Sequence, residues 1–205
     1  MATTISPPVA EKLRTTLAAV ATAEGVLQTA ETALTDKQGQ CRTDVAEKER
    51  LEATLRPDDK AGIQQLLILR IKISLYDAPL KELGDAVVRA RAALDGRKGQ
   101  VCDALAEAGK EIDVERTKIA RAALSSVTDT AEWIEKTLPG LSSVWETRRF
   151  VELCGQGTVE RDLGLPLAKV AALLLAGQLP AIPRPDPRER EIILASVIPD
   201  ATLRR

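Results

Sequence analysis

The side chains that most often bind metals or act as nucleophiles are few in this chain and far apart. The sequence has no histidine and three cysteines, Cys41, Cys102 and Cys154, which form no C-x-x-C pair. Zinc sites need cysteines and histidines at close spacing, and one chain of this composition does not supply such a set. We therefore expect reduced structural cysteines, no metal and no cofactor.

Clustered carboxylates are the other arrangement that could do acid–base chemistry. Asp58 and Asp59 are adjacent, and Glu47, Glu49 and Glu52 shortly precede them. A carboxylate becomes catalytic when burial or a neighbouring charge shifts its pKa, whereas these residues belong to a predicted turn and a polar helix face. The sequence has no phosphate-binding loop, no G-x-S-x-G motif and no histidine to activate a serine. It predicts no catalytic residue and a non-enzymatic protein.

Charge is abundant but balanced along the chain. The 205 residues include 29 basic and 30 acidic side chains, without the basic excess that binding to phosphate backbones requires. The first residues do not resemble a secretory signal. The one apolar stretch long enough to consider as a membrane span, Leu165–Ile182, is interrupted by Lys169, Gln178 and two prolines. We expect a protein without nucleic-acid or membrane partners, cytoplasmic or within a particle assembled in the cytosol.

Apolar residues at every seventh position form two long columns, which predict the fold. The first column consists of Leu13, Val20, Leu27, Leu34, Cys41, Lys48 and Leu55, where lysine is the one exception. The second consists of Leu66, Ile73, Leu80, Val87, Leu94, Val101 and Ala108. A repeat sustained over seven heptads is typical of helices that pack in a coiled coil.

The columns belong to two predicted helices, about Pro8–Leu55 and Asp59–Ser125, separated by a turn at Arg56–Gly62. A short connection makes such helices antiparallel neighbours. Pairing them about residue 58 places the second column against Leu34, Leu27, Val20 and Leu13. The candidate interaction residues on this seam are Leu66, Ile73, Leu80, Val87, Leu94 and Val101.

The second of these helices carries two irregular features and a surplus of apolar surface. Pro79 lacks a backbone donor and predicts a kink near that level. Ile68–Leu75 alternates apolar and polar residues as a strand does, although the heptad column continues through it and favours a helix. A further apolar column exceeds what one partner helix covers, which predicts a homo-oligomer or a hetero-complex. It includes Leu69, Tyr76, Leu83 and Ala90, and later Leu105, Ile112 and Ile119.

After Ser125 the sequence predicts shorter helices. Capping patterns begin at Asp129 and Ser143, and Pro139-Gly140 is expected to end the first of these helices and Gly155 the second. A proline-rich linker then precedes a terminal helix that is expected to dock on its own chain or on a neighbour. Its candidate interaction residues are Ile192, Ile193, Val197 and Ile198.

One stretch resembles a helix-turn-helix unit. Leu163-Gly164-Leu165, followed by Val170 and Leu173, is similar to its turn glycine and core positions. The residues that would face bases are almost all apolar, whereas base reading uses polar side chains. The stretch is therefore expected to pack or dock, and a coiled-coil DNA-binding regulator using residues 158–176 is the alternative.

Together these patterns predict an all-α protein with a long antiparallel coiled-coil hairpin at residues 1–127. A small helical domain at 128–179 and a linker with a terminal docking helix at 180–205 follow. The expected function is a structural, scaffolding or adaptor subunit that binds protein partners. Its extended helical shape suggests a component of a large assembly, such as a phage particle.

Overall fold

Every regular element that the structure describes is an α-helix. The computed structural model describes residues 5–56, 58–125 and 130–182, with side chains at 5–56, 58–122 and 142–182, and no strand occurs among them. The helices are α1 (Pro7–Thr54), α2 (Lys60–Ser74), α3 (Asp77–Ser125), α4 (Thr130–Gly155), α5 (Val159–Leu163) and α6 (Leu167–Leu175). The predicted all-α class, a helical hairpin followed by a small helical part, is confirmed. The predicted terminal helix lies outside the described residues.

The chain divides into two compact units. The mid-chain unit is Val20–Gly96, and the terminal unit contains the chain up to Ala19 and from Arg97 onward. Helices α1 and α3 contribute residues to both units. The domain limits expected from sequence, 1–127, 128–179 and 180–205, stay a prediction.

In the mid-chain unit, α1 runs antiparallel to α2 and to the first part of α3. Ion pairs link Glu52 to Arg70 and Glu31 to Arg91. In both pairs the midpoint of the two residue numbers is 61, which defines the register of the hairpin. This register lies close to the predicted pairing about residue 58. The buried apolar residues of the unit are Val20, Leu69, Tyr76, Ala90 and Leu94.

The second arm of the hairpin is interrupted between α2 and α3. Ile68–Ser74 is helical, so the helix predicted by the heptad column is confirmed and the strand alternative is wrong. Helix α2 ends at Ser74 and α3 begins at Asp77, which puts the break just before Pro79. Pro79 therefore lies in the first turn of α3, where its missing N–H costs no helical hydrogen bond. The irregularity that Pro79 predicted is present as this break.

The terminal unit has its own core. Ser6 donates from its backbone N–H and its hydroxyl to the carboxylate of Glu111, and Lys12 pairs with Glu107, so the start of α1 is antiparallel to α3. The largest fully buried side chains here come from α1, α3, α4, α5 and α6. They include Leu13, Val101, Leu105, Ile112, Val144, Phe150, Leu153, Val159, Val170 and Leu174.

Helix α4 differs from the expectation of two helices. The backbone is helical from Thr130 to Gly155, so the predicted end at Pro139-Gly140 is wrong, whereas the predicted end at Gly155 is confirmed. A proline inside a helix removes one hydrogen bond and bends the helix without necessarily ending it. Ser143 lies inside α4, where its carbonyl accepts from the Thr147 hydroxyl and it caps no separate helix.

Candidate functional site

Helix α2 has apolar side chains on two opposite faces. Leu69 is buried and Leu66 and Ile73 are half-buried on the side toward α1. The other side carries what we call the α2 apolar face, whose side chains are 45% to 66% exposed. Its members are Ile63, Leu67, Ile68, Ile71 and Leu75.

The spacing of these residues explains why they share one face. Ile63, Leu67 and Ile71 recur every four residues, and Ile68 and Leu75 are seven apart, so a repeat of 3.6 residues per turn places all five on one side. Isolated exposed aliphatic residues are ordinary on protein surfaces. Five of them contiguous on four turns of helix form a patch of the kind that marks an interaction site.

The start of α2 is held by a side-chain cap. The carboxylate of Asp59 accepts from the backbone N–H of Gly62 at 2.9 Å, as an aspartate at the N-cap position commonly does. Ile63 N–H donates to the carbonyl of Asp59 and begins the helical hydrogen bonds. The turn and helix start predicted at Arg56–Gly62 are thus formed, and they orient the first residue of the α2 apolar face.

Ion pairs link the basic residues in the second half of α2 to α1. Arg70 pairs with Glu52 at 2.6 Å and Lys72 with Asp44 at 2.8 Å. The buried Tyr76 also donates its hydroxyl hydrogen to Asp44. These contacts hold Arg70 and Lys72 toward α1, and the opposite, apolar face of α2 is exposed.

The pKa values follow from this pairing. The hydrogen bond from Lys72 and then that from Tyr76 lower the pKa of the Asp44 carboxyl, and the same bonds raise the pKa values of Lys72 and Tyr76. The hydrogen bond from Arg70 lowers the pKa of Glu52. Both carboxylates are therefore held in the charged form that pairs with α2.

The sequence-predicted interaction residues lie on the inner side of the hairpin. Leu66, Ile73, Leu80 and Val87 are half-buried in the mid-chain unit, and Leu94 is buried there. Val101 is buried in the terminal unit. Ile192, Ile193, Val197 and Ile198 lie outside the residues that the structure describes. That these inner residues bind a partner stays a prediction.

The segment that resembles a helix-turn-helix has the expected turn. Gly164 follows α5 with a φ of +63°, a left-handed conformation that glycine adopts without strain. Glu160 accepts from the N–H of Leu167 at 3.2 Å and pairs with Lys98 at 3.3 Å, which fixes the start of α6. The exposed residues of α6 are Ala168, Lys169 and Ala172. This surface offers one polar side chain, so α6 is poorly equipped to read bases.

Two of the three cysteines, Cys102 and Cys154, are buried in surroundings that suppress their chemistry. Burial raises the pKa of the Cys154 thiol to about 12 and also raises that of Cys102. A thiol acts as a nucleophile or metal ligand as the thiolate, and these two remain protonated at neutral pH. Among the residues with described positions, no group of three histidine, cysteine or acidic side chains is arranged to hold a metal.

Sequence reasoning missed the α2 apolar face. It assigned the surplus apolar surface to the further column of the second predicted helix, which begins with Leu69, Tyr76, Leu83 and Ala90. Of these four, all but half-buried Leu83 are buried in the hairpin. The available signal was composition: from Leu66 to Ile73, six of eight residues are leucine or isoleucine. A helix that is apolar all round needs partners on more than one side.

The fold and this surface define a helical-hairpin protein with an apolar helix face that is exposed among the residues that the structure describes. No protein-family model, curated protein or solved structure was found to match the chain. In the part of the chain that the structure describes, no helix combines the length and the apolar character needed to cross a membrane.

Proposed function

We propose that this chain is a non-enzymatic structural, scaffolding or adaptor subunit that acts by binding protein chains through its helices. The observation that carries the proposal is the α2 apolar face, where five large aliphatic side chains lie together in solvent. Covering such a face is favourable by about 25 cal/mol for each Å2 of apolar surface removed from water.

The construction of α2 supports binding rather than chemistry. Leu69 is buried on its inner side, Asp59 caps its start and ion pairs link it to Glu52 and Asp44, so the face is presented on an element packed against α1. Amphipathic helices commonly dock in this way, with anchors at intervals of three and four residues. A component of a larger protein assembly fits this surface.

Site-specific photo-cross-linking in the source cells tests the proposal. Gln64 is exposed on α2 among the apolar residues, whereas Gln28 is exposed on α1 away from them. A photoreactive amino acid at position 64 is expected to give a discrete protein cross-link identifiable by mass spectrometry, and one at position 28 is not. Absence of any protein cross-link from position 64 contradicts the proposal.

The alternative of a DNA-binding regulator using residues 158–176 makes a different prediction. Such a protein shifts the mobility of random DNA at low salt, because non-specific binding depends on phosphate contacts. With Lys169 the one polar residue on the exposed side of α6, we expect no shift. A salt-sensitive shift that Lys169→Ala removes would favour the regulator.

A further inference from the structure

We infer that the α2 apolar face packs against the same face of a second copy of this chain, with the two α2 helices antiparallel. The inference rests on the proposed function, because it names the partner of the same surface. Three properties of the face favour a second copy: the neutralisation of its flanking charges, the placement of its end charges and its area.

The flanking charges of α2 do not repel a second copy. Its basic residues are Lys60, Arg70 and Lys72, and two of them are already paired with Glu52 and Asp44 of α1. Their charges are therefore balanced within each chain. Two such faces meet without a row of like charges on either side, which would otherwise cost energy.

The end charges select the antiparallel direction. Lys60 is exposed at the start of α2, and Asp77 is exposed just after its end. A parallel pair would bring the two Lys60 side chains together. With the two-fold axis between Leu67 and Ile71, each Lys60 instead approaches Asp77 of the second copy and forms an opposite-charge pair at each end, next to the exposed Asp58 and Asp59 that precede Lys60.

The apolar positions match in the same arrangement. Leu67 packs on Ile71 of the second copy and Ile63 on Leu75 of the second copy, and the symmetry repeats both contacts. With roughly 100 Å2 of each of five side chains removed from water per copy, about 1,000 Å2 is buried in total, the size at which specific interfaces begin. Interfaces of this size are typical of weak or transient dimers rather than permanent ones.

A lipid surface fits the face less well than a second copy does. Helices that lie on anionic membranes use free lysines and arginines beside their apolar side. On α2 the side chains of Arg70 and Lys72 are engaged with carboxylates of α1. The flanking charge that would contact phosphate head groups is therefore largely occupied.

Sedimentation equilibrium of the purified full chain tests the inference. We expect a monomer–dimer equilibrium, weakened at least about tenfold by Leu67→Asp or Ile71→Asp, because a charge then lies at the centre of the contact. Both residues are more than half exposed, so circular dichroism should stay unchanged. Val88→Asp is the matched control, since Val88 is 67% exposed on α3, outside the face, and its variant should dimerise as the wild type does.

Charge exchange tests the direction of packing. Lys60→Asp or Asp77→Lys alone should weaken the dimer, and the double variant should restore it, because both antiparallel contacts are then rebuilt with reversed signs. Failure of the double variant to recover overturns the antiparallel arrangement.

Other results identify other occupants and overturn the inference. The inference fails if the wild type stays monomeric at the highest concentration, or if Leu67→Asp leaves the dimer unaffected. It also fails if deleting residues 183–205 abolishes the dimer, or if a monomeric protein floats with vesicles of anionic lipid. A monomer whose position 64 still cross-links to another protein in cells leaves the proposed function standing while this inference fails. A monomer without any cross-link contradicts both.

Discussion

Asp44 is a half-buried residue of α1 that contacts two residues of the returning arm. Its carboxylate accepts from Lys72 and from the hydroxyl of Tyr76, and Lys37 lies 4.9 Å from the centre of the Tyr76 ring. Three charged groups and one aromatic ring of the mid-chain unit thus meet at one level. Because Lys72 points to this cluster, the opposite side of α2 is the one left to solvent.

Replacing Asp44 by Asn should destabilise the protein in a pH-dependent way. Its pKa in the folded chain lies below the ordinary 3.8, so the charged form adds stability that is fully present above pH 3.8. This stability is lost as the pH falls through the lowered value. Urea unfolding should show the variant less stable than wild type at pH 7, with the deficit shrinking below pH 3.8.

Asp36→Asn is the matched control for this experiment. Asp36 is exposed on the same helix and has no ion pair among the described residues, so the same loss of charge there should change stability little at either pH. An Asp44→Asn deficit that is equal at pH 7 and pH 3 would mean that packing, not the charge, is responsible.

At the scale of the elements, the close approach of α3 and α4 depends on a glycine. A Cβ added at Gly109 would lie 2.7 Å from Val151 Cγ2 and 3.1 Å from Phe150 Cδ1. Phe150 is fully buried, and valine is stiff because of its branched Cβ, so neither neighbour moves easily. Gly109 therefore sets how near the two helices can come in the terminal unit.

Gly109→Ala should lower the free energy of unfolding by about 1–3 kcal/mol, because overpacking exceeds the gain in helix propensity. Gly99→Ala makes the same substitution on the same helix, where no atom lies within 4 Å of the added Cβ. That control should instead raise stability by up to about 1 kcal/mol. Equal effects of the two substitutions in chemical unfolding would show that α3 and α4 are not in close contact at Gly109.

At the scale of the whole molecule, the hairpin forms because α1 packs against one side of the second arm, which consists of α2 and the first part of α3. Val87 and Val88 are neighbours on α3 and report the two sides. Val87 is half-buried toward the inside of the mid-chain unit, and Val88 is exposed. Successive helical residues point about 100° apart, so one substitution at each position separates the inner from the outer face.

Val87→Asp should cost about 1–3 kcal/mol, because it buries a charge without a partner in the seam. Val88→Asp carries the same change in helix propensity at an exposed position and should cost no more than about 0.5 kcal/mol. Thermal and urea unfolding measure both. If the two variants melted alike, the pairing of α1 with α3 in this register would be contradicted.

The sequence by itself determined the helices of the hairpin and their antiparallel direction. Heptad columns from Leu13 and Leu66 and the acidic turn before α2 predicted helices whose ends agree with the structure within a few residues. The column through Ile73 also favoured the helix that is found at Ile68–Ser74. These features are local, because periodicity, caps and prolines act within a few residues of chain.

The tertiary structure decided which apolar surface stays uncovered. Periodicity identified too many apolar residues on α2, but it did not say which side α1 would occupy. Contacts with distant residues decided that, since Leu69 is buried on the side toward α1 and Glu52 and Asp44 pair with Arg70 and Lys72. The same limit applies to Pro139, where the local sequence predicts a helix end although α4 continues through it. Tertiary packing depends on contacts between segments far apart in sequence. The free energy of those contacts cannot be read from a local sequence pattern.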